Sequence, residues 1–289
     1  MKSNPDGKEA ARGDVMTLAV KRPPSQLKKT VFYIRDTKLS GVLLIGLLLL
    51  LWQGLSVYEI VHPIYIPPVS KIFRALYDII ITGELPLHYA HSLYRTFTGY
   101  FIAAFLAIGL GIVIGWSRTA FNLTEPLTEL ARPVPSPAII PMIILLLGIG
   151  DQMKIFIIGW ACFWPILVNT IDGVRGVDRV VVDTARTFGS TQKEILRKII
   201  IPAASPSIVT GMRIALAVAL ILTVISEMIA GRNGIGFFIL DSERTFRVPE
   251  MYAGTFSLAA VGYSLNRVFV AADRKFMGWH KGMISKEMR

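Results

Sequence analysis

An all-α, polytopic membrane protein with six transmembrane helices is the fold class this sequence predicts, on three observations. Apolar residues make up 53% of the 289-residue chain and charged residues only 18%, where soluble domains carry roughly 25% charged. The apolar residues come in runs long enough to cross about 30 Å of hydrocarbon. The basic residues, which bring the net charge to +11, gather in the tails and in the segments between those runs. In a soluble chain that charge would suggest nucleic acid; here the positive-inside rule accounts for it, and no nucleic-acid partner is expected. Cys162 is the single cysteine and lies within an apolar run, so an intrachain disulfide and a cysteine metal cluster are excluded.

Residues 1–38 hold nine Lys and Arg and read as a polar tail. Pro23-Pro24 would stop a helix before it. Beyond it Leu27, Val31 and Ile34 could line one side of a short helix, either a lead-in on the membrane surface or part of a solvated tail. The first span is expected at 39–61, with Trp52 and Tyr58 towards its far interface. It starts too late and lacks the small-residue site of a cleaved signal, so a retained helix is expected. Pro67-Pro68-Val69-Ser70 reads as a loop and N-cap. After it Ile72, Phe73, Leu76, Ile79 and Ile80 recur at helical spacing, in a run too short and too charged to span; an amphipathic surface helix is expected.

The second span is expected at 92–116, where Gly111-x-x-x-Gly115 is a pattern that lets helices approach closely. The third, 123–150, is interrupted by Pro126, Pro133, Pro135, Pro137 and Pro141. A kinked span facing the interior is expected, because broken backbone at membrane depth needs cover. Spans at 154–172, 208–230 and 251–272 complete the domain 39–272. Gly231–Glu250 reads as a polar turn, and 273–289 as a basic tail. With both termini on one side, that side carries 21 Lys/Arg and the other seven. The bias places both termini and the central loop, 174–207, in the cytoplasm.

That loop contains the one long, basic, helix-forming excursion between apolar runs, Asp183–Pro202. Asp183–Phe188 is helical in pattern and Gly189 is suited to a C-cap. Thr191 and Glu194 form a capping-box pair that would start a second helix over 192–200, with Pro202 as its stop. The small Ala185 and Gly189 would let a partner come close. The same residues would also suit an amphipathic loop lying on the inner leaflet.

The segment resembles the cytoplasmic loop of ABC-importer permeases, whose pattern reads EAA, three residues, G, nine residues, I, one residue, LP. Asp183-Thr184-Ala185 stands at EAA, Gly189 at the glycine, Ile199 at the isoleucine and Ile201-Pro202 at LP. Arg132-Pro133-Val134-Pro135, Gly148-Ile149-Gly150, Phe163-Trp164-Pro165-Ile166, Pro202-Ala203-Ala204-Ser205-Pro206 and Ser226-Glu227-Met228-Ile229 are similar to the branch that imports nitrate, alkanesulfonates, taurine and bicarbonate. The resemblance implies a type I ABC importer permease fold in a bacterial inner membrane. It implies a homodimer forming one pathway, separate ATPase subunits that hold the ATP and Mg, and a periplasmic or lipid-anchored binding protein. No cofactor is expected on this chain. Asp183, Thr184, Ala185, Arg186, Phe188, Gly189, Ser190, Thr191 and Pro202 become the candidates for coupling to the ATPase.

Polar residues within spans are costly and mark pathways. Arg132, Arg213 and Glu227 are the charged candidates for a small-anion pathway, and Trp160, Trp164 and Asn169 the uncharged ones. Alternatively Arg213 snorkels to the inner interface and Glu227 to the outer. The sequence contains no G-x-x-x-x-G-K-[ST] loop and no histidine pair within a span, so a permease without its own nucleotide site is expected, not an enzyme. An ion-coupled secondary transporter is the alternative; it would want more buried charge and inverted repeats.

Overall fold

The computed structural model describes residues 38–62 and 64–276. The possible helix after Pro24 and the end of the C-terminal tail lie outside the described residues. The chain divides into two units, residues 1–54 and 55–289. Helix α1 (Lys38–Val57), built on an unbroken leucine run, occupies the described part of the first.

Among its described residues the second unit is built of helices joined by turns and short irregular segments, with no strand. It contains α2 (Val69–Ile81), α3 (Glu84–Trp116), α4 (Arg118–Ala131), a 3-10 turn (Ser136–Ile139) and α5 (Ile140–Leu147). There follow α6 (Asp151–Arg175), α7 (Arg179–Thr187), α8 (Gln192–Ile195), a π-turn (Leu196–Ile200), α9 (Ile201–Ala230), α10 (Ile235–Arg244) and α11 (Val248–Phe276). By length and apolarity α3, α6 and the continuous helix Gln192–Ala230 can each cross a membrane; α4 with residues 136–147 makes a fourth if that pair, bent by 82°, is one span. The apolar part of α1, Gly41–Val57, is shorter, and α11 is long enough but less apolar.

The core is the seam where α3, α6 and α9 meet. Ala103, Ala104 and Ala107 of α3 face Ile157, Ile158, Ala161 and Ile166 of α6, and Ala215 and Ala219 of α9 close the seam. The alanines let the helix backbones approach closely, which favours association in lipid, and isoleucines and leucines fill the rest of the seam. Other large side chains point outward: Phe101, Phe105 and Leu145 are exposed, an arrangement suited to hydrocarbon. A Cβ added to Gly111 would lie 2.7 Å from the Thr170 Cβ, whereas one added to Gly109 would meet nothing within 4 Å. Gly111→Ala should therefore separate α3 from α6 and cost about 1–3 kcal/mol, while Gly109→Ala should be neutral or slightly stabilising. Melting temperatures of the two variants in detergent check the contrast.

The proline-rich segment consists of helical pieces bent by 82° across the break between Ala131 and Ser136, with Pro126 accommodated inside α4. Two expectations change. Residues 231–250 contain α10 besides the turn. Pro202 does not stop a helix. It sits at the second residue of α9, and the wider π-turn just before it, with Ile201 N–H donating to Leu196 C=O, carries the helix into the proline. Proline is tolerated there because the widened turn relieves its clash with the preceding carbonyls.

Candidate functional site

Two places concentrate polar side chains: the loop between α6 and α9, and a buried cluster at the opposite ends of α3, α6 and α9. The loop starts at Asp178, whose carboxylate accepts from Val180 N–H at 2.8 Å and caps α7. At the far end Gly189 takes φ +80°. Its N–H donates to Arg186 C=O at 2.9 Å, and Ser190 N–H donates to Ala185 C=O at 3.0 Å, the paired bonds of a Schellman turn, which favours glycine at the left-handed residue. Thr191 Oγ1 then accepts from Glu194 N–H at 3.3 Å while Glu194 Oε2 accepts from Thr191 N–H at 3.1 Å, completing the capping box. Lys198 donates to Glu194 Oε1 at 2.9 Å.

The two faces of α7 differ. Val182 and Ala185 pack against the cluster of Val174, Ile195, Ile200, Ala204 and Ile208 at the base of α6 and α9. Ala185 thus faces the chain's own helices. Val180 and Val181 are exposed, Phe188 is 84% exposed at the tip, and Asp183, Thr184, Arg186 and Thr191 are exposed with it. Asp183 and Arg186 pair at 3.1 Å on the surface. α8, the π-turn and α9 run as one helix, Gln192–Ala230, which starts directly after the turn that ends α7.

The second cluster centres on Arg95 and Glu227, 1% and 0% exposed. Their ion pair is 2.7 Å, and Arg95 reaches Asp151 Oδ1 at 2.7 Å with its second terminal nitrogen. Arg95 also donates to the carbonyl and the side-chain oxygen of Asn233. Glu227 accepts from Ser92 Oγ at 2.9 Å and from Gly236 N–H, at the first turn of α10, at 3.0 Å; a carboxylate at a helix N-terminus is favourable. A side chain on Gly234 would collide with this carboxylate. The network ties α3, α6, α9 and the start of α10 into one unit.

Glu227 therefore does not snorkel: it is enclosed and neutralised from inside. The sequence reading counted Arg95 and Lys154 only among the seven basic residues of the outer side and did not single out Ser92, Asp151 or Asn233. The available signal was a pair of opposite charges at matching depth near the same ends of two apolar runs. The other candidates are dispersed. Arg132 is exposed beside a cleft of about 470 Å³ that it shares with Glu125, Glu129 and Asp172. Arg213, exposed on α9, donates to Asn266 Oδ1 of α11 at 3.2 Å. Asn169 donates to Pro165 C=O at 2.8 Å. Trp160 and Trp164 stack edge to face, 5.2 Å apart; both indole N–H groups are buried and lack a partner among the described residues.

Residues 107–277, which include the loop and Glu227, match the family described as binding-protein-dependent transport system inner membrane component. The chain belongs to this family. It is thus the permease component of an ABC importer, a multi-pass inner-membrane protein that leaves ATP hydrolysis to another subunit and works with an ATPase and a binding protein. It is 35% identical over 243 residues to a putative ABC transporter permease protein of Methanocaldococcus jannaschii, covering 82% of this chain and 91% of that one. Its identity to the taurine transport system permease protein of Escherichia coli is 30%, with coverage of 82% and 88%. With the bicarbonate transport system permease protein of Synechococcus elongatus it shares 31%, with 68% of each chain covered. Its fold is similar to a chain of the inward-facing MetNI methionine ABC transporter, with a TM-score of 0.61 at 17% identity, covering 68% of this chain and 97% of that one.

Proposed function

We propose that this permease crosses the inner membrane six times, with both termini in the cytoplasm, and that two copies form one pathway for a small anion. The spans would be α1, α3, the bent pair, α6, α9 and α11. The relatives named for taurine and bicarbonate transport support a cargo of that class. The observation that carries the coupling role is the tip of α7: an exposed apolar edge, Val180, Val181 and Phe188, held by a Schellman turn and a capping box on a helix continuous with α9. Asp183, Thr184, Arg186, Ser190 and Thr191 flank that edge and would contact the ATPase; Ala185 and Pro202 would transmit its movement inward.

For the pathway, the unpartnered indole N–H groups of Trp160 and Trp164 are the best-supported donors. A buried donor without a partner costs about 1–3 kcal/mol, a cost that an anion accepting from both would offset. Among the described residues Arg132 is the one cation beside three carboxylates in its cleft, so its loss would turn that cleft against an anion. Arg213 and Asn169 would contribute through α9 and α6. Glu227 would act as part of a lock at the outer end and not as a cargo ligand.

The test is uptake into proteoliposomes holding the permease, its ATPase and its binding protein. Uptake should require ATP and persist without an ion gradient; uptake driven by a gradient alone would overturn the reading. Trp160→Phe and Trp164→Phe remove the donors and keep the rings. Each should raise the cargo concentration for half-maximal uptake severalfold with an unchanged melting temperature, and unchanged uptake kinetics would remove the indoles from the pathway.

A further inference from the structure

We infer that the cleft between α7 and the ends of α3 and α6 is a seat for the phosphate of an anionic phospholipid. The cleft holds about 340 Å³, and Arg118, Arg175, Arg179 and Arg186 line it with Asp183 as the lone carboxylate. Arg175 stacks on the Phe121 ring at 3.6 Å, and Arg186 pairs with Asp183. Arg118 and Arg179 have no ion-pair partner among the described residues. Both also stand at the first residue of a helix, α4 and α7 respectively, where the helix dipole disfavours a cation. Four guanidiniums facing one carboxylate in one cleft leave an excess of positive charge that an anion would neutralise, and guanidinium forks match phosphate oxygens.

The rest of the lining favours a lipid over a free ion. Trp116, Val174, Val182 and Ile200 supply an apolar wall, which a hydrated phosphate ion would gain nothing from and a glycerol and acyl stem would cover. Trp116 ends α3 and Arg175 ends α6, so the cleft opens at the level where membrane helices meet water and headgroups lie. Because α7 forms one wall, a lipid seated there would bind the loop to the membrane helices and set the angle at which its tip is presented.

The experiment titrates the purified full-length chain with short-chain phosphatidylglycerol, phosphatidylcholine and inorganic phosphate, read as bound adducts by native mass spectrometry. Wild type should retain phosphatidylglycerol over phosphatidylcholine, and inorganic phosphate should not displace it. A basic residue near an anionic surface contributes about fivefold in affinity, so Arg118→Gln/Arg179→Gln should bind phosphatidylglycerol at least tenfold more weakly. Arg118→Lys/Arg179→Lys should keep most of the binding. Equal retention by wild type and the Gln variant would overturn the site. Displacement by inorganic phosphate would make it a free-ion site. A Gln variant that holds lipid but loses a co-purifying ATPase would reassign the cleft to the partner's acidic surface. Should the Gln variant fail to fold, equal affinity of wild type for the two lipids overturns the proposal alone.

Discussion

Arg95→Ala should lower the stability of this permease by about 3–5 kcal/mol, the cost of stranding one partner of a buried ion pair. The asymmetry within the network sharpens this. Without Arg95, Glu227 keeps Ser92 and the Gly236 N–H but loses its ion-pair partner, the only one among the described residues, while remaining fully enclosed. Without Glu227, Arg95 still holds Asp151 at 2.7 Å, whose side chain is half exposed and solvated. Glu227→Gln should thus cost clearly less than Arg95→Ala. Replacing both, as Arg95→Met/Glu227→Leu, should recover much of the loss, since apolar pairs often substitute for buried ion pairs without penalty. Unfolding in bicelles of wild type, Arg95→Met, Glu227→Leu and their combination, run as a double-mutant cycle, measures the coupling. Equal costs for the two single variants, or additivity, would mean that Asp151 and Asn233 carry the lock and the Arg95–Glu227 bond is incidental.

The same network marks the limit of what the sequence disclosed. Local signals were legible. Gly189, the Thr191–Glu194 box and the 3.6-residue periodicity of α2 each act within a few residues; both caps form, and α2 buries Ile72 and Ile79 of its predicted stripe while Phe73 and Ile80 stay exposed. The apolar runs located α3, α6 and α9, because a hydrocarbon-length run permits little else. Long-range pairing was not legible: Arg95 and Glu227 are 132 residues apart, and each alone looks like a residue at an interface. The passage of the helix through Pro202 was hidden for a related reason. Proline reads as a stop when hydrogen bonds are assumed to run four residues back, and the π-turn replaces that register with five. The unpartnered indoles were equally invisible, since only packing decides whether a tryptophan N–H meets a carbonyl.

Gly189→Arg should reduce ATP-driven uptake to under a tenth and remove co-purification of the ATPase, while leaving the melting temperature nearly unchanged. The expected split between function and stability follows from the site. A Cβ at Gly189 meets nothing within 4 Å, so no clash arises inside the chain. The left-handed φ of +80° costs a side-chain-bearing residue about 1–2 kcal/mol, confined to an exposed turn. The functional cost is larger because the new side chain stands beside Phe188, whose exposed ring is the kind of aromatic anchor that dominates interface energy. Gly189→Asn separates the two effects: asparagine accepts the left-handed conformation more readily and adds little bulk, so uptake should stay within a few-fold of wild type. Phe188→Ala should behave like Gly189→Arg in the co-purification assay without any backbone strain. If Gly189→Arg transports normally and still retains the ATPase, the tip of α7 is not the docking surface. The force would then have to enter the membrane helices elsewhere, with the exposed termini of α4 and α11 as the next places to probe.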